Sequence, residues 1–572
     1  MKNYWSIIKN KKIWFKIVGI LFFLGLIYIR FSWFDQHFTH YDDIKVDQLT
    51  NYQANAFEIK FGQLRYAGGI SEELYNLFYL LFGKAFNVFY NAINFSRYWT
   101  YAPAQFIFTF ALLPFGRDYT SIKFFGRFPS LIFGCIALIV IWKVVYKVTQ
   151  SKAVAYFGTA ILGFSWQAIL YCMHMSNYES IILCGGCFSL YILSSYEKDS
   201  TRKWVLDGII LGIMTWFHYQ VVCFLGGYIF AVLILKLLRK EKIKNIFWKI
   251  CQIAIGYSVI IWPLFLFANM DGKPTWNAGV NGEFLYNFSW NIGYTLKFFV
   301  VNSYRVFKAM LSPVPLYLPL SNIIVIILGI FFILGIIKSI GEHKSINERF
   351  LISLFCIGTI ATEYFFVFLG KFTLSPTRHC NVLIPVYIIE ICLGLFYFVN
   401  FVFLRKPRFI LIIPYVFCIL MGIAWGKYGK VIKNERVDMF SSDLVANILN
   451  QTSPDLVIDR SAPQLWYLLD KAEYPRRQII DYQTDFYDKD DDIYNNHRIL
   501  IVSHTSKIDN DVLDFLASQL VEYGYMEQVD ADKLKNSECS IKYEKMGNLD
   551  FDFYNVTNGA ANNLFYYLYE IK

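Results

Sequence analysis

Two adjacent carboxylates, Asp42 and Asp43, stand in the stretch HFTHYDDIKVDQ (37–48), directly after the first long apolar run of the chain. A carboxylate within hydrogen-bond reach of a hydroxyl can take its proton as that hydroxyl attacks an electrophilic carbon, so such a pair is a candidate general base. The competing role is structural: Asp is a good N-cap, and the pair would then open a helix beginning at Ile44. The two roles do not exclude one another. Asp35, in SWFDQ, is a rival acid at the end of the same run, but Gln36 follows it where a second acid would complete a pair. His37 and His40 join the three acids within nine positions. Two histidines and acids at irregular spacing in a loop do not form a zinc signature, and no metal or other cofactor is expected.

The elements that must hold these acids are written in the composition. Of 572 residues, 56% are hydrophobic, 19% aromatic and 17% charged, well short of the roughly 25% charge of a soluble domain. Several runs reach the roughly 20 apolar residues needed to cross a bilayer. The first extends from about Trp14 to Phe34, and no small-residue cleavage site follows it, so it reads as a retained helix rather than a signal peptide. Further candidate spans cover 128–149, 153–172, 178–196, 205–221, 222–238, 246–268, 321–340, 350–369, 381–403 and 408–426. That makes about eleven crossings. The stretch 205–238 reads equally as two short helices or one kinked one.

The formal net charge of +10 is unevenly divided. Residues 427–572 carry a net charge of about −9 and residues 1–426 about +19. The basic residues sit in short loops between spans rather than on one patch, which disfavours a nucleic-acid partner. KNKK at 9–12, Lys147 and Lys152, EKDSTRK (197–203), RKEKIK (239–244), GEHK (341–344) and LRKPR (404–408) fall on one side of an eleven-span count. KFTLSPTRH (371–379) is the basic exception. The positive-inside rule then puts the N-terminus in the cytoplasm and the C-terminal segment outside. The long segments 34–127 and 269–320 face outward, and 42–60, 71–90 and 98–115 read as interface helices.

The segment 427–572 alternates strand-like runs, LVID (456–459) and RILIVS (498–503), with a helix-like run, VLDFLASQLVEYG (512–524). A small α/β domain is expected. Its YDKDDD run reads as a solvated loop. Ten of the 11 cysteines precede residue 427, so the tail, with Cys539 alone, can form no internal disulfide. Cys184 and Cys187 form C-G-G-C inside an apolar run and read as small-residue helix packing.

The order of features is more specific than any one of them. The first helix is followed by the acidic pair, then YAPAQFIFTFALLPFG (101–116), then GRFPSLIFG (126–134) at the start of the second span. This resembles the GT-C glycosyltransferases of the protein-mannosyltransferase and aminoarabinose-transferase type (the family 39-like branch), in which an acidic pair lies in the first outer loop and an R-x-P-S-A-L-x-G signature opens the second span. Motifs carry the resemblance over roughly residues 10–240, and architecture alone carries it over the rest. It implies an α-helical polytopic GT-C-like membrane body (1–426) with interface helices in the first outer loop, and an extracytoplasmic α/β domain (427–572). It also implies transfer of a sugar from a polyprenyl-phosphate donor to a protein, lipid or glycan acceptor at the outer face, with inversion and without an obligate metal.

On that resemblance Asp42, Asp43 or Asp35 is the base, with Asp42 preferred; Asp-Asp here replaces the family's Asp-Glu. The departing phosphate needs cations at the outer membrane edge, ideally arginine. Arg378 and His379 in SPTRHCNVLIP sit there, with Arg305 and Lys371 as further candidates; each is equally readable as a snorkelling interface residue. His218, in MTWFHYQVV, is a polar group at an outer turn, and Arg127 fixes the helix entry or pairs with a loop acid. In CMHMSNYES (172–180), Asn177 stands where relatives often have an arginine, which weakens a phosphate or sugar contact by Asn177 or Glu179. Competing classes are a lipid-linked-sugar transporter or flippase, a glycan polymerase or ligase, and a non-catalytic cell-envelope assembly protein. No paired halves with matching Gly/Pro breaks support the transporter, and the R-F-P-S start disfavours the polymerase. The Lys/Asn/Ile/Tyr-heavy composition points to a bacterial plasma membrane.

Overall fold

The computed structural model describes residues 11–32, 80–81, 83–98, 102–116, 119–172, 175, 177–267, 286, 288–312, 319–344, 347–376, 378–402, 412–425, 452–460, 479–481, 498–503, 510–522, 526–535, 541–545 and 564–570. The described elements fall into a helical unit and a smaller unit built on a sheet. Asp35, Asp42 and Asp43, with His37, His40 and the YDKDDD run, lie outside the described residues.

The helical unit contains α1 (Lys11–Ser32), α2 (Lys84–Tyr98), α3 (Ala104–Leu112), α4 (Tyr119–Thr149), α5 (Lys152–Phe164), α6 (Trp166–Cys172), α7 (Tyr178–Ser195) and α8 (Thr201–Thr215). It continues with α9 (Val221–Leu238), α10 (Ile243–Phe267), α11 (Ile292–Leu311), α12 (Pro319–Gly341), α13 (Glu348–Phe368), α14 (Leu383–Val402) and α15 (Ile412–Ala424). Among the described residues seven helices are long and apolar enough to cross a membrane: α4, α7, α9, α10, α12, α13 and α14. The chain is thus a multi-pass helical membrane protein.

The other four of the eleven expected spans fall on α1, the α5–α6 pair, α8 and α15. The run 153–172 is the bent pair α5–α6, turning by 62°. α1 has 22 residues and α8 has 15, and the last span is described over the 13 residues of α15. The ambiguous stretch 205–238 is two helices, α8 and α9, joined by a turn at 216–220. The helix α11 was not expected as an element of that length. Its residues Phe298, Asn302, Val306, Ala309 and Met310 are buried on one face, and Lys297 and Arg305 lie off it, so hydropathy alone passes it over.

The bend has a definite cause. Ser165 leaves the helical region at ψ 120°, and its hydroxyl donates to Met310 O at 2.7 Å and accepts from Ala168 N at 3.3 Å. The break frees carbonyls in the last turn of α5, which in an apolar surrounding must find donors. Arg30, fully buried at the end of α1, donates from Nη1 to Gly163 O (3.2 Å) and from Nη2 to Leu162 O (3.3 Å). Trp425 Nε1 donates to Phe164 O at 3.0 Å. One arginine therefore ties the first helix to the break.

Elsewhere helices meet backbone to backbone through glycine. A Cβ on Gly394 of α14 would lie 1.7 Å from Phe331 O of α12, and one on Gly256 of α10 would lie 2.1 Å from Val205 O of α8. Between α9 and α13, a Cβ on Gly227 would come 2.2 Å from Thr359 Oγ1. Lipid offers helices no hydrophobic gain in pairing, so such close approach with its dispersion contacts holds them together. The C-G-G-C run behaves the same way: Gly185 abuts Phe224 and Pro385, and Gly186 abuts Val140.

At the end of the bundle where α7 finishes and α8 begins, the loop charges are mutually satisfied. Asp199 accepts from Lys236 and Lys249, each at 2.7 Å, and from Trp204 Nε1 at 3.0 Å. Burial alone would raise the Asp199 pKa, but these hydrogen bonds outweigh it and hold the carboxyl below the usual carboxylate range. Lys203 pairs with Asp207 at 2.7 Å, and Tyr191 and Tyr228 both donate to Asp207.

The smaller unit has a five-stranded sheet in the order β2-β1-β3-β5-β4, with β1 (Leu456–Arg460), β2 (Ile479–Asp481), β3 (Arg498–Ser503), β4 (Ile541–Lys545) and β5 (Leu564–Glu570). β1 runs parallel to β2 and β3, while β5 is antiparallel to β3 and β4. Leu456, Ile458, Ile499 and Ile501 pack with α16 (Asn510–Glu522) and α17 (Gln528–Lys535). Val457 and Leu500 on the other face are also buried, as parallel strands require. The strand and helix runs expected from the sequence fall within or across these elements.

Gly394→Ala should destabilise the protein by about 2 kcal/mol or more, because the new methyl meets a backbone carbonyl and the helices must separate. Gly422→Ala, where nothing lies within 4 Å, should be neutral or gain about 0.5 kcal/mol. Thermal unfolding of the two variants in detergent compares them directly.

Candidate active site

A second set of buried polar residues lies at the opposite end of the bundle from the Asp199 cluster. The α8–α9 turn is the hub. Trp216 O accepts from Ala104 N at 2.8 Å, which attaches the start of α3. Phe217 O accepts from Asn177 Nδ2 at 3.0 Å, which attaches the start of α7. Gln220 Nε2 donates to His379 O, which attaches the segment leading into α14. Three segments distant in sequence thus converge on five residues.

His218 sits inside this convergence. Its ring lies 5.6 Å from that of Tyr178, and the His379 ring lies 6.4 Å from the same tyrosine. The Gln220 backbone N–H donates to His218 Nδ1 at 3.2 Å, so Nδ1 carries no proton and the neutral ring is the Nε2–H tautomer. Burial pushes the imidazole pKa down to about 3. At neutral pH His218 therefore offers hydrogen bonding and not positive charge.

The other candidate residues are spread over the helical unit. His379 is half-buried in the short turn Arg378–Cys380. The backbone of Arg378 belongs to that turn, and its side chain lies outside the described residues. Lys371 is exposed beyond the end of α13, its N–H donating to Phe366 O at 2.9 Å. Arg305 is exposed on α11, with Nη1 3.5 Å from Asn302 Oδ1. Arg127 is fully buried on α4. One turn further on, Ser130 accepts from Gln105 of α3 at 2.5 Å, so the RFPS stretch locks α3 to α4. The structure brings His218 and His379 together around Tyr178.

Glu179, which the sequence reading discounted, faces the last glycine of the RFPSLIFG stretch: a Cβ on Gly134 would lie 3.0 Å from Glu179 Oε1. Glu179, Glu363 of α13 and Glu390 of α14 are all fully buried. Both carboxylate oxygens of Glu179 and Glu390, and Oε1 of Glu363, have no hydrogen-bond partner among the described residues. The sequence signal for Glu363 and Glu390 was a lone acid inside an apolar run, which marks a functional candidate by default. Among the described residues no group of three or more His, Cys, Asp or Glu side chains is arranged to hold a metal ion.

Comparison with known proteins bears on the part of the chain that builds this end. Residues 105–265 match the family described as dolichyl-phosphate-mannose-protein mannosyltransferase. The match covers under a third of the chain, from Gln105 through the RFPS stretch, α7 and the His218 turn. The resemblance drawn from the sequence holds over that segment. Among solved structures, ArnT from Cupriavidus metallidurans bound to undecaprenyl phosphate aligns at 10% identity and a TM-score of 0.39, covering 82% of this chain and 87% of that one. No curated protein matches.

The His218 pKa fixes a pH dependence. The unfolded chain binds a proton near pH 6.5 that the folded chain refuses until about pH 3. The stabilisation is therefore complete above about pH 6.5 and is lost progressively as the pH falls toward 3. Between pH 7 and pH 5 the melting temperature of the wild type should drop more than that of His218→Gln. Equal drops would mean that the imidazole titrates freely in the fold.

Proposed function

We propose that this protein is a membrane glycosyltransferase that moves a sugar from a polyprenyl-phosphate carrier to an acceptor hydroxyl. The observation that carries the reading is the family match over residues 105–265, because that segment supplies both the RFPS stretch and the polar hub around His218. The family is described by a reaction whose donor is a polyprenyl phosphate sugar, and a chain of apolar helices with a polar hub at one end suits such a donor. Asp42 is the base that takes the acceptor proton, with Asp43 and Asp35 as the alternatives. The sugar transfers in a single displacement with inversion. Arg378, aided by Arg305 and Lys371, stabilises the departing phosphate by charge, and the neutral His218 and His379 contribute hydrogen bonds.

The transferase body spans residues 1–426 and the α/β domain 427–572 receives or orients the acceptor. The N-terminus lies in the cytoplasm and the α/β domain outside a bacterial plasma membrane, an orientation that the loop charges support. A second reading, a carrier for lipid-linked sugars, draws on the broken span at Ser165 and the buried acids Glu179, Glu363 and Glu390.

A turnover assay on the purified full chain in lipid separates the two. The substrates are a panel of polyprenyl-phosphate sugars, with wild type beside Asp42→Asn and Asp35→Asn. Asp42→Asn should lower kcat at least about 100-fold with donor binding unchanged, while Asp35→Asn stays near wild type. Donor binding without turnover by the wild type sinks the transferase reading in favour of the carrier.

A further inference from the structure

The Asp199 end of the bundle carries more cations than its acids can use. The stretches 196–207 and 236–249 hold nine lysines and arginines against four acids. Asp199 joins Lys236 of α9 to Lys249 of α10, and Glu241 takes the same two lysines at 2.8 and 2.6 Å. Asp207 takes Lys203. The fourth acid, Glu197, accepts from the Tyr196 hydroxyl at 3.2 Å. Three acids are thus committed to three inner lysines. Lys198, Arg202, Arg239, Lys240, Lys242 and Lys244 remain, exposed and without an ion pair among the described residues.

The turn that carries four of these cations has a defined backbone. The Lys240 N–H donates to Leu237 O at 2.9 Å and the Glu241 N–H to Lys236 O at 3.0 Å, with Lys240 at φ 57°. This is the helix C-terminal motif in which glycine ordinarily fills the left-handed position. A lysine there accepts backbone strain that glycine would avoid, and it adds a cation between Arg239 and Lys242. The spanning helix α10 opens at Ile243, and Ile243, Phe247 and Trp248 in its first two turns are 61–76% exposed. Lys244 and Trp248 stand one turn apart, as do Ile243 and Phe247. A cationic rim therefore borders an apolar, aromatic flank.

That pairing selects the partner. Uncompensated cations beside the exposed flank of a spanning helix match the two parts of a charged lipid, its phosphate and its acyl chains. A soluble anion would satisfy the rim alone, and a neutral phospholipid the flank alone.

We propose that the α9–α10 turn and the start of α8 form a binding surface for an anionic phospholipid of the surrounding leaflet. Arg202, Lys240, Lys242 and Lys244 hold its headgroup phosphate, and Ile243, Phe247 and Trp248 lie along its acyl chains. The helices α8 and α9 carry the His218 turn at their other ends. The lipid therefore holds the far ends of the two helices that make the hub.

Native mass spectrometry of the full chain in detergent measures its affinity for phosphatidylglycerol and for phosphatidylcholine of matched chains. Wild type should bind the anionic lipid at least about tenfold more tightly. One cation at a membrane surface contributes about fivefold in affinity. Lys242→Gln and Lys244→Gln should each weaken phosphatidylglycerol by that factor and leave phosphatidylcholine unchanged. Lys240→Gly should weaken it equally while the melting temperature holds or rises, because glycine relieves the left-handed residue. That variant separates loss of lipid from damage to the fold. Lys338→Gln removes one exposed charge from α12, outside these segments, and should change neither affinity. Three results each overturn the proposal. Wild type does not distinguish the two lipids, or Lys338→Gln weakens phosphatidylglycerol as much as the turn variants do. The third is displacement of the lipid by millimolar inorganic phosphate at an ionic strength matched with chloride, which would mark a site for a free anion.

Discussion

A polar group in an apolar surrounding must have a partner, and this bundle is organised by that rule. The break at Ser165 would strand three carbonyls of α5, and the chain answers with Arg30 from α1 and Trp425 from beyond α15. The cost of leaving such groups bare, several kcal/mol each in hydrocarbon, is what makes the first helix a fixture rather than a tether.

The two ends of the bundle apply the rule in opposite ways. At the Asp199 end every acid named is gripped by lysine, tyrosine or tryptophan donors, and the result is a locked set of helix ends. At the His218 end the backbone is tied as firmly, through Ala104, Asn177 and Gln220, yet several buried side-chain atoms have no hydrogen-bond partner among the described residues.

Close glycine contacts complete the scheme. Gly394, Gly256 and Gly227 allow helix axes to approach until backbone meets backbone, which leaves little room for the helices to shift past one another. Gly134 serves another purpose: it makes space for the Glu179 side chain against α4. The RFPSLIFG stretch thus acts at three successive points, with Arg127 buried, Ser130 bound to Gln105 and Gly134 beside Glu179.

The sequence by itself determined the membrane body, the order of its helices and the α/β character of the tail, because apolar run length and strand alternation are local properties that survive without neighbours. It marked His218 and His379 as members of one end through their positions at span boundaries. It read 153–172 as continuous, because the break at Ser165 is held by a partner distant in sequence, Met310 O, which accepts a hydrogen bond from the Ser165 hydroxyl. It passed over Gln220 and discounted Glu179, since an amide or an acid gains meaning only from what does or does not stand opposite it. Which buried group is satisfied and which is left open is a property of packing between segments more than a hundred residues apart, and only the tertiary structure decided it.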